Sequence, residues 1–150
     1  MNEYEKHLQN AERFLNSAVI YKENDCAVDA ISRAYYACFH SILAYLYFRG
    51  KSKNLPTYIG HAELRSVYCD LYAIYSKSED TRNLLAYVLP KNPSSVLKRW
   101  QRLRKDADYQ RPWESFGQLN KREKLDFDFM LEFAKAHICL IENDTIKNDN

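Results

Sequence analysis

The segment that most constrains the fold runs from Asp25 to Gly50, because it contains no proline and carries glycine only at its end. Its Ala, Leu, Ile and Tyr residues recur at steps of three and four, which predicts a long helix. Apolar residues cover nearly the whole circumference, as expected for the central helix of a bundle. Asn24 or Asp25 is placed to cap this helix at its N-terminus, and Gly50 to end it.

Two polar residues, Arg33 and His40, interrupt the apolar surface of this segment. Seven residues are about 20° short of two helical turns, so the two side chains are predicted to share a face, about 10 Å apart along the axis. Arginine matches a phosphate group, and histidine can transfer a proton near neutral pH. The pair is therefore a candidate site for metal-independent attack of an RNA 2′-hydroxyl on its phosphodiester, and Tyr36 on the same stripe could orient either residue. The alternative is a structural ion pair at Arg33 and a satisfied core histidine at His40.

Composition limits the possible classes of protein. The 150 residues suffice for one domain with a proper core. Hydrophobic residues make up 46% of the chain, and only three Gly and four Pro occur, which favours helix. The net charge of +2 is too small to indicate a partner by itself.

Cysteine and histidine spacing indicates neither disulfides nor metal. The four cysteines show no C-x-x-C pair, and the four histidines lack the spacing of metal ligands. We expect reduced thiols in a cytoplasmic protein, with no zinc site and no cofactor. The N-terminus lacks the apolar core of a signal peptide, and the most apolar run, Ala34 to Phe48, is shorter than the roughly 20 residues of a membrane span. We therefore expect no contact with a membrane.

Apolar residues at helical spacing, with capping and breaking residues between them, divide the rest of the chain into helices. The predicted helices are, in chain order, Asn2 to about Lys22, Asp25–Gly50, about His61 to Ser76, a short one at Thr81–Leu89, Val96 to about Lys105 with Ser94 or Ser95 as cap, and a last one from Asn120. Asn120 and Glu123 have the spacing of a capping box. The fold class is therefore all-α, an antiparallel up-and-down four-helix bundle with one or two extra short helices. It forms a single domain over residues 1–150, with a frayed tail from about residue 143.

The segment KRWQRLRKDADYQRPW, residues 98–113, combines cations with aromatic residues. The cations are Lys98, Arg99, Arg102, Arg104, Lys105 and Arg111, and the aromatic residues are Trp100, Tyr109 and Trp113. Cations neutralise phosphates and aromatic rings stack on unpaired bases, so the segment is a candidate RNA-binding surface. The alternative is a solvated helix face with Trp100 in the core. His61, after Gly60, is either a helix-start residue or a catalytic one.

Several sequence blocks resemble those of the HEPN domain family. They are AERFLNSA in the first helix, AISRAYYACFHSILAYL in the second, a third helix that opens near His61, and RLRKDADY before the last helix. The chain is most similar to the stand-alone bacterial and archaeal branch, which carries S-R-A-Y-Y-A and a later R-x-x-A-D-Y. The resemblance covers about residues 8–142.

This resemblance implies a homodimeric helical bundle, often encoded beside a minimal nucleotidyltransferase in toxin–antitoxin or other defence modules. Many members of the family are metal-independent ribonucleases with an R-x4-6-H motif in a cleft at the dimer interface. In the corresponding stretch of this chain, Arg102 or Arg104 leads to Asp108 and Tyr109, with aspartate at the position of the histidine. Because the ordinary pKa of aspartate is about 4, Asp108 is a poor proton-transfer group at neutral pH.

Two hypotheses follow. In the first, the protein binds RNA or a nucleotide and, if catalytic, uses Arg33 to hold phosphate and His40 as general acid–base. Its auxiliary residues are Tyr36, Arg102, Arg104, Asp108 and Tyr109. In the second, the protein is a non-catalytic helical module that binds a nucleotidyltransferase-type antitoxin, and Arg33 and Asp108 form an ion pair that stabilises the bundle.

Overall fold

The computed structural model describes residues 1–50, 55, 59–75, 92–110 and 113–149. The helices within these ranges are α1 (Glu3–Glu23), α2 (Ala27–Phe48), α3 (His61–Tyr75), α4 (Pro93–Lys105) and α5 (Lys121–Asp149), with a π-helical turn at Asp106–Gln110 and a 3-10 turn at Phe116–Gln118. The described ranges contain no strand, so the predicted all-α bundle is confirmed. None of these helices is both long enough and apolar enough to cross a membrane. The short helix predicted at Thr81–Leu89 lies outside the described residues.

The first two helices are bounded by residues that favour helix ends. Asn2 and Glu5 form a reciprocal capping box at the start of α1, each side chain accepting from the other's backbone N–H at 3.0 Å. The cap of α2 is Cys26 rather than the predicted Asn24 or Asp25. Asp25 instead takes a left-handed conformation (φ 59°), and its carboxylate accepts a hydrogen bond from the Phe116 backbone N–H at 2.9 Å.

The last two helices, α4 and α5, are each preceded by a capping asparagine. Asn92, not Ser94 or Ser95, caps α4 by accepting from the Ser95 backbone N–H at 3.2 Å. The predicted capping box before α5 is present, since Asn120 and Glu123 exchange two 2.8 Å hydrogen bonds. The last helix continues to Asp149, beyond the point where fraying was expected.

The core lies around α2. This helix runs antiparallel to α1, because Tyr4 of α1 contacts Phe48 of α2, whereas Phe14, further along α1, contacts Tyr36, earlier in α2. It runs in the same sense as α5, because the Cys38 thiol lies 3.1 Å from the Met130 carbonyl and the next contact along both helices joins Tyr45 to His137. The central position predicted for α2 is therefore observed.

The direction of α3 departs from simple up-and-down alternation. His61, at its start, contacts Phe39 in the middle of α2 with ring centroids 5.0 Å apart. Further along, Tyr68 of α3 and Tyr45 of α2 both have ring centroids 5.3 Å from His137. The two helices therefore run in the same sense, and the start of α3 is placed beside the middle of α2.

A buried carboxylate holds α4 against α5. Asp126 of α5 is only 2% exposed and accepts hydrogen bonds from Arg99 at 2.8 and 2.9 Å and from the Trp100 indole N–H at 3.2 Å. The two bonds from Arg99 have the bidentate geometry that a guanidinium fork favours with a carboxylate. Asp126 thereby satisfies an indole N–H that is completely buried.

Replacing Asp126 with Ala is expected to lower the free energy of unfolding by about 2 kcal/mol, since the buried Trp100 N–H would lose its acceptor. For a chain of this length that change corresponds to a fall in Tm of about 4–8 °C. The matched control is Asp128→Ala, because Asp128 is exposed and its ion pair with Lys22 is 3.5 Å long. That variant should change stability by less than about 1 kcal/mol. Equal losses in the two variants, measured by thermal melting, would contradict the role given to Asp126.

Candidate functional site

The predicted polar stripe of α2 faces the ring of Phe14 on α1. The Arg33 guanidinium carbon lies 5.6 Å from the Phe14 ring centroid. The rings of His40 and Tyr36 lie 5.4 and 5.8 Å from the same centroid. Arg33, Tyr36 and His40 therefore share one aromatic neighbour, and all three are half-buried.

His40 is paired with a second histidine. Its Nδ1 lies 3.1 Å from Nδ1 of His7, so one ring carries the proton and donates to the other. Burial, followed by the nearby His7 and Arg13, lowers the pKa of His40 to about 4. His40 is therefore neutral at pH 7 with Nδ1 already engaged, which makes it a weak general acid.

The ion pair proposed between Arg33 and Asp108 does not form. The Asp108 carboxylate instead accepts from Arg104 at 3.3 Å, four residues earlier in the chain. Arg33 forms no ion pair with any described residue, and its guanidinium lies against the Phe14 ring of α1. The structural reason offered for Arg33 is therefore removed, whereas its catalytic role stays a prediction.

Arg104 is the most deeply buried cation of the predicted site. It is 6% exposed, and its guanidinium carbon lies 5.5 and 5.7 Å from the ring centroids of Tyr35 and Tyr36. Its Nε is buried and has no hydrogen-bond partner among the described residues. Because Tyr36 also contacts Phe14, this tyrosine joins the Arg33–His40 stripe to the surroundings of Arg104.

His61, the first residue of α3, lies near Arg104. The Tyr35 hydroxyl is 2.6 Å from His61 Nδ1. Burial raises the pKa of the Tyr35 phenol, so it stays protonated at neutral pH and can donate to Nδ1. In a neutral ring that bond leaves the proton on Nε2, the nitrogen available to a ligand.

The charge around His61 is positive. Burial, followed by the charges of Arg104, Lys105 and Arg65, lowers the pKa of His61. Arg65 follows His61 by four residues on α3 and donates to the Gln101 side chain of α4 at 2.8 Å. Three cations near one imidazole form an arrangement that favours an anionic ligand.

A small cavity adjoins this group of residues. It has a volume of about 20 Å³ and is lined by Tyr35, His61, Arg65 and apolar residues of α2, α3 and α4. That volume is room for about one water molecule and excludes a nucleobase. No group of three or more potential metal ligands occurs in the described ranges.

The basic segment divides into a buried and an exposed part. Trp100 and Trp113 lie in the core, as the alternative interpretation proposed for Trp100, and Arg99 binds Asp126. Arg111 lies outside the described residues. The exposed part consists of Lys98, Arg102, Lys105 and Tyr109.

Part of the site could have been found in the sequence. His61 and Arg65 have the i, i+4 spacing that places two side chains on one helix face. The contact of His61 with Tyr35, however, joins two different helices, and no periodicity within one helix predicts it. The candidate site is therefore Tyr35, His61, Arg65, Arg104 and Lys105.

Comparison with known proteins gives a family. The sequence profile described as the HEPN domain matches residues 4–144 of the chain. The UPF0332 protein PH1297 of Pyrococcus horikoshii is 46% identical over 48 residues, which cover 32% of this chain. The match spans only about a third (34%) of the length of that relative. On the match over nearly its whole length, the chain belongs to the HEPN domain family, which indicates a function related to nucleotides or RNA.

Proposed function

We propose that the protein binds RNA or a nucleotide through a phosphate group held at His61, Arg65 and Lys105. The observation that supports this proposal is the position of His61, whose Nδ1 is bonded to Tyr35 at 2.6 Å. Burial, followed by the charges of Arg104, Lys105 and Arg65, lowers its pKa. A phosphate carries the charge that such a group lacks, and Arg65 and Lys105 are its direct ligands. Arg104 is buried, so it does not contact the ligand directly but adds to the positive electrostatic potential of the site.

Binding of a phosphate would also prepare His61 for proton transfer. An anion beside the ring offsets the three cations, so the pKa of His61 rises from its lowered value toward neutrality. In that range part of the His61 rings carry a second proton, and Nε2–H can donate a proton to the 5′-oxygen as it leaves. A water molecule takes the proton of the 2′-hydroxyl, whose oxygen attacks the adjacent phosphorus. The bond to the 5′-oxygen breaks, giving a 2′,3′-cyclic phosphate and a 5′-hydroxyl. This is the finer proposal, a metal-independent endoribonuclease.

The proposed biological setting rests on family membership alone. As a HEPN protein the chain would act in the cytoplasm as a homodimer, as the effector of a toxin–antitoxin or other defence module. Its partner would then be an antitoxin of the nucleotidyltransferase type.

One observation favours the non-catalytic alternative. Where the active branch of the family has a histidine, this chain has Asp108, and its carboxylate is held by Arg104 at 3.3 Å. The carboxylate is therefore already engaged in an ion pair, and no imidazole stands at this position to transfer a proton. Under this alternative the protein binds its nucleotidyltransferase-type partner and does not cleave RNA.

Incubation of the purified protein with labelled single-stranded RNA, with and without EDTA, tests the proposal. We expect cleavage at the same rate in both, with products ending in 2′,3′-cyclic phosphate. Binding without cleavage would remove the ribonuclease and leave an RNA- or nucleotide-binding protein. Absence of both cleavage and RNA or nucleotide binding would overturn the proposal in favour of the interaction module.

A further inference from the structure

An exposed ridge runs along α4 into the π-helical turn. Its members are Lys98, Arg102, Lys105 and Tyr109, all exposed. At about 100° per residue the three cations fall within about 60° of one another around the axis of α4. Tyr109 follows Lys105 by four residues in the π-helical turn, which places it about one turn further along. Neighbouring residues of the helix face the core instead, since Leu97, Trp100, Leu103 and Arg104 are buried. The ridge is therefore a single surface.

The three cations of the ridge are uncompensated. Lys98, Arg102 and Lys105 form no ion pair or hydrogen bond with a described residue, whereas the adjacent Arg99 and Arg104 are paired with Asp126 and Asp108. The two acidic residues of the segment form no ion pair with them. Asp108 is bound by Arg104, and Asp106, although it follows Arg102 by four residues, forms no ion pair with it. Exposed, unpaired cations in a row can neutralise the phosphates of a nucleic-acid backbone.

Tyr109 distinguishes this ridge from an ordinary solvated helix face. It is 77% exposed and its ring contacts no other aromatic ring among the described residues, although tyrosine usually buries its apolar body. The other two aromatic residues of the segment are in the core. A free aromatic face at the end of a row of cations is the combination that binds unpaired bases.

We propose that the ridge formed by Lys98, Arg102, Lys105 and Tyr109 binds single-stranded RNA and leads it to the phosphate site at His61. The cations contact successive phosphates, and Tyr109 stacks on one base. The proposal rests on the proposed function, with which it shares Lys105. The eleven steps from Lys98 to Tyr109 extend about 16 Å along the helix, which covers about four or five stacked nucleotides at about 3.4 Å each. Duplex RNA does not fit this description, because its paired bases offer no face to Tyr109.

Binding of a labelled single-stranded RNA of about eight nucleotides, a length within the usual range of single-strand sites, tests the ridge by fluorescence anisotropy. Tyr109→Ala is expected to weaken binding about five- to 150-fold, because one base loses its stacking partner. Tyr109→Trp keeps an aromatic ring at this position and should bind as tightly as the wild type. Neither substitution should change the weaker affinity for a duplex of the same sequence. Both variants should have the same Tm as the wild type, because the Tyr109 ring is mostly exposed to solvent.

The double variant Lys98→Gln, Arg102→Gln tests the charges. Two lost phosphate contacts should reduce the slope of log affinity against log salt by about 1.4. The matched control is Lys121→Gln, Lys124→Gln, which removes two exposed cations from the start of α5 and should leave the slope unchanged. Lys105 is kept in both variants, so the His61 site stays intact.

The outcomes separate the ridge from the site. If Tyr109→Ala and the double variant bind single strands as the wild type does, the ridge is rejected. If, in that case, inorganic phosphate still shifts the NMR resonances of the His61 ring, the proposed function stands. If duplex RNA binds as tightly as single strands and depends equally on Tyr109, the preference for single strands is wrong. If the wild type binds neither RNA nor phosphate, both proposals fall.

Discussion

Replacing His61 with Asn is expected to slow metal-independent RNA cleavage by about 10²- to 10⁴-fold, the usual contribution of a proton-transfer group. The Asn amide can occupy the position of Nδ1 and keep the hydrogen bond to Tyr35, but it cannot transfer a proton. Because His61 is half-buried at the first turn of α3, stability should change by less than about 1 kcal/mol. The measurement is the cleavage rate in EDTA, together with a thermal melt.

His40→Asn is the matched control, and it tests the hypothesis drawn first from the sequence. If Arg33 and His40 are the catalytic pair, His40→Asn abolishes cleavage while His61→Asn has little effect. The structure favours the opposite result, because the pKa of His40 is about 4 and its Nδ1 is engaged by His7. A cleavage rate unchanged in His61→Asn would exclude His61 from the reaction. A rate unchanged in His40→Asn would likewise exclude His40.

Tyr35→Phe asks whether Tyr35 positions His61 without itself reacting. Removal of the hydroxyl frees Nδ1, so the neutral ring no longer has its proton fixed on Nε2. We expect a slower reaction and a shift in its pH–rate profile, with substrate affinity little changed. A fall in affinity with an unchanged profile would indicate instead that Tyr35 only shapes the ligand site.

The parts of the fold that depend on local chemistry could be predicted from the sequence. The apolar circumference of Asp25–Gly50 predicted the central helix, and the spacing of Asn120 and Glu123 predicted the start of α5. Each of these two signals comes from residues that are close to one another in the chain. Even here the cap of α2 is Cys26 and not Asn24 or Asp25. Asp25 has a left-handed backbone conformation, and its carboxylate accepts a hydrogen bond from the distant Phe116.

The candidate site could be predicted only in part, because it depends on how helices are oriented. The sequence indicated Tyr36, Arg104 and Asp108, and the structure brings these three together. It did not indicate that Arg104 would take Asp108 from Arg33, since that choice depends on which side of α2 faces α4. The same holds for His61, which reaches Tyr35 only because α3 runs in the same sense as α2. Helix periodicity gives the face of a side chain, and tertiary packing decides what it meets.

Lowering the pH from 7 to 5 is expected to reduce the free energy of unfolding by about 2 kcal/mol through His137 alone, and by about 3 kcal/mol at pH 4. His137 is completely buried, its Nδ1 donates to the Phe133 carbonyl at 2.9 Å, and its Nε2 accepts from the Tyr68 hydroxyl at 2.8 Å. Burial lowers the pKa of His137 to about 4. Between about pH 6.5 and pH 4 this histidine binds a proton in the unfolded chain, where its pKa is about 6.5, but not in the folded protein. Stability is therefore full above about pH 6.5 and falls steadily toward pH 4.

Urea unfolding at pH 7, 6 and 5 measures this loss, and a double variant assigns it. His137→Leu with Tyr68→Phe removes both the titrating ring and the hydroxyl that would otherwise lose its acceptor. This variant should lose about 2 kcal/mol less than the wild type between pH 7 and pH 5, whatever its stability at pH 7. His61→Asn should reduce the loss by a smaller amount, because the ring of His61 is partly solvated in the folded protein. A double variant that keeps the full acid sensitivity would show that the proton is taken up elsewhere, with the half-buried His7–His40 pair as the next candidate, since burial lowers the pKa of both of its rings.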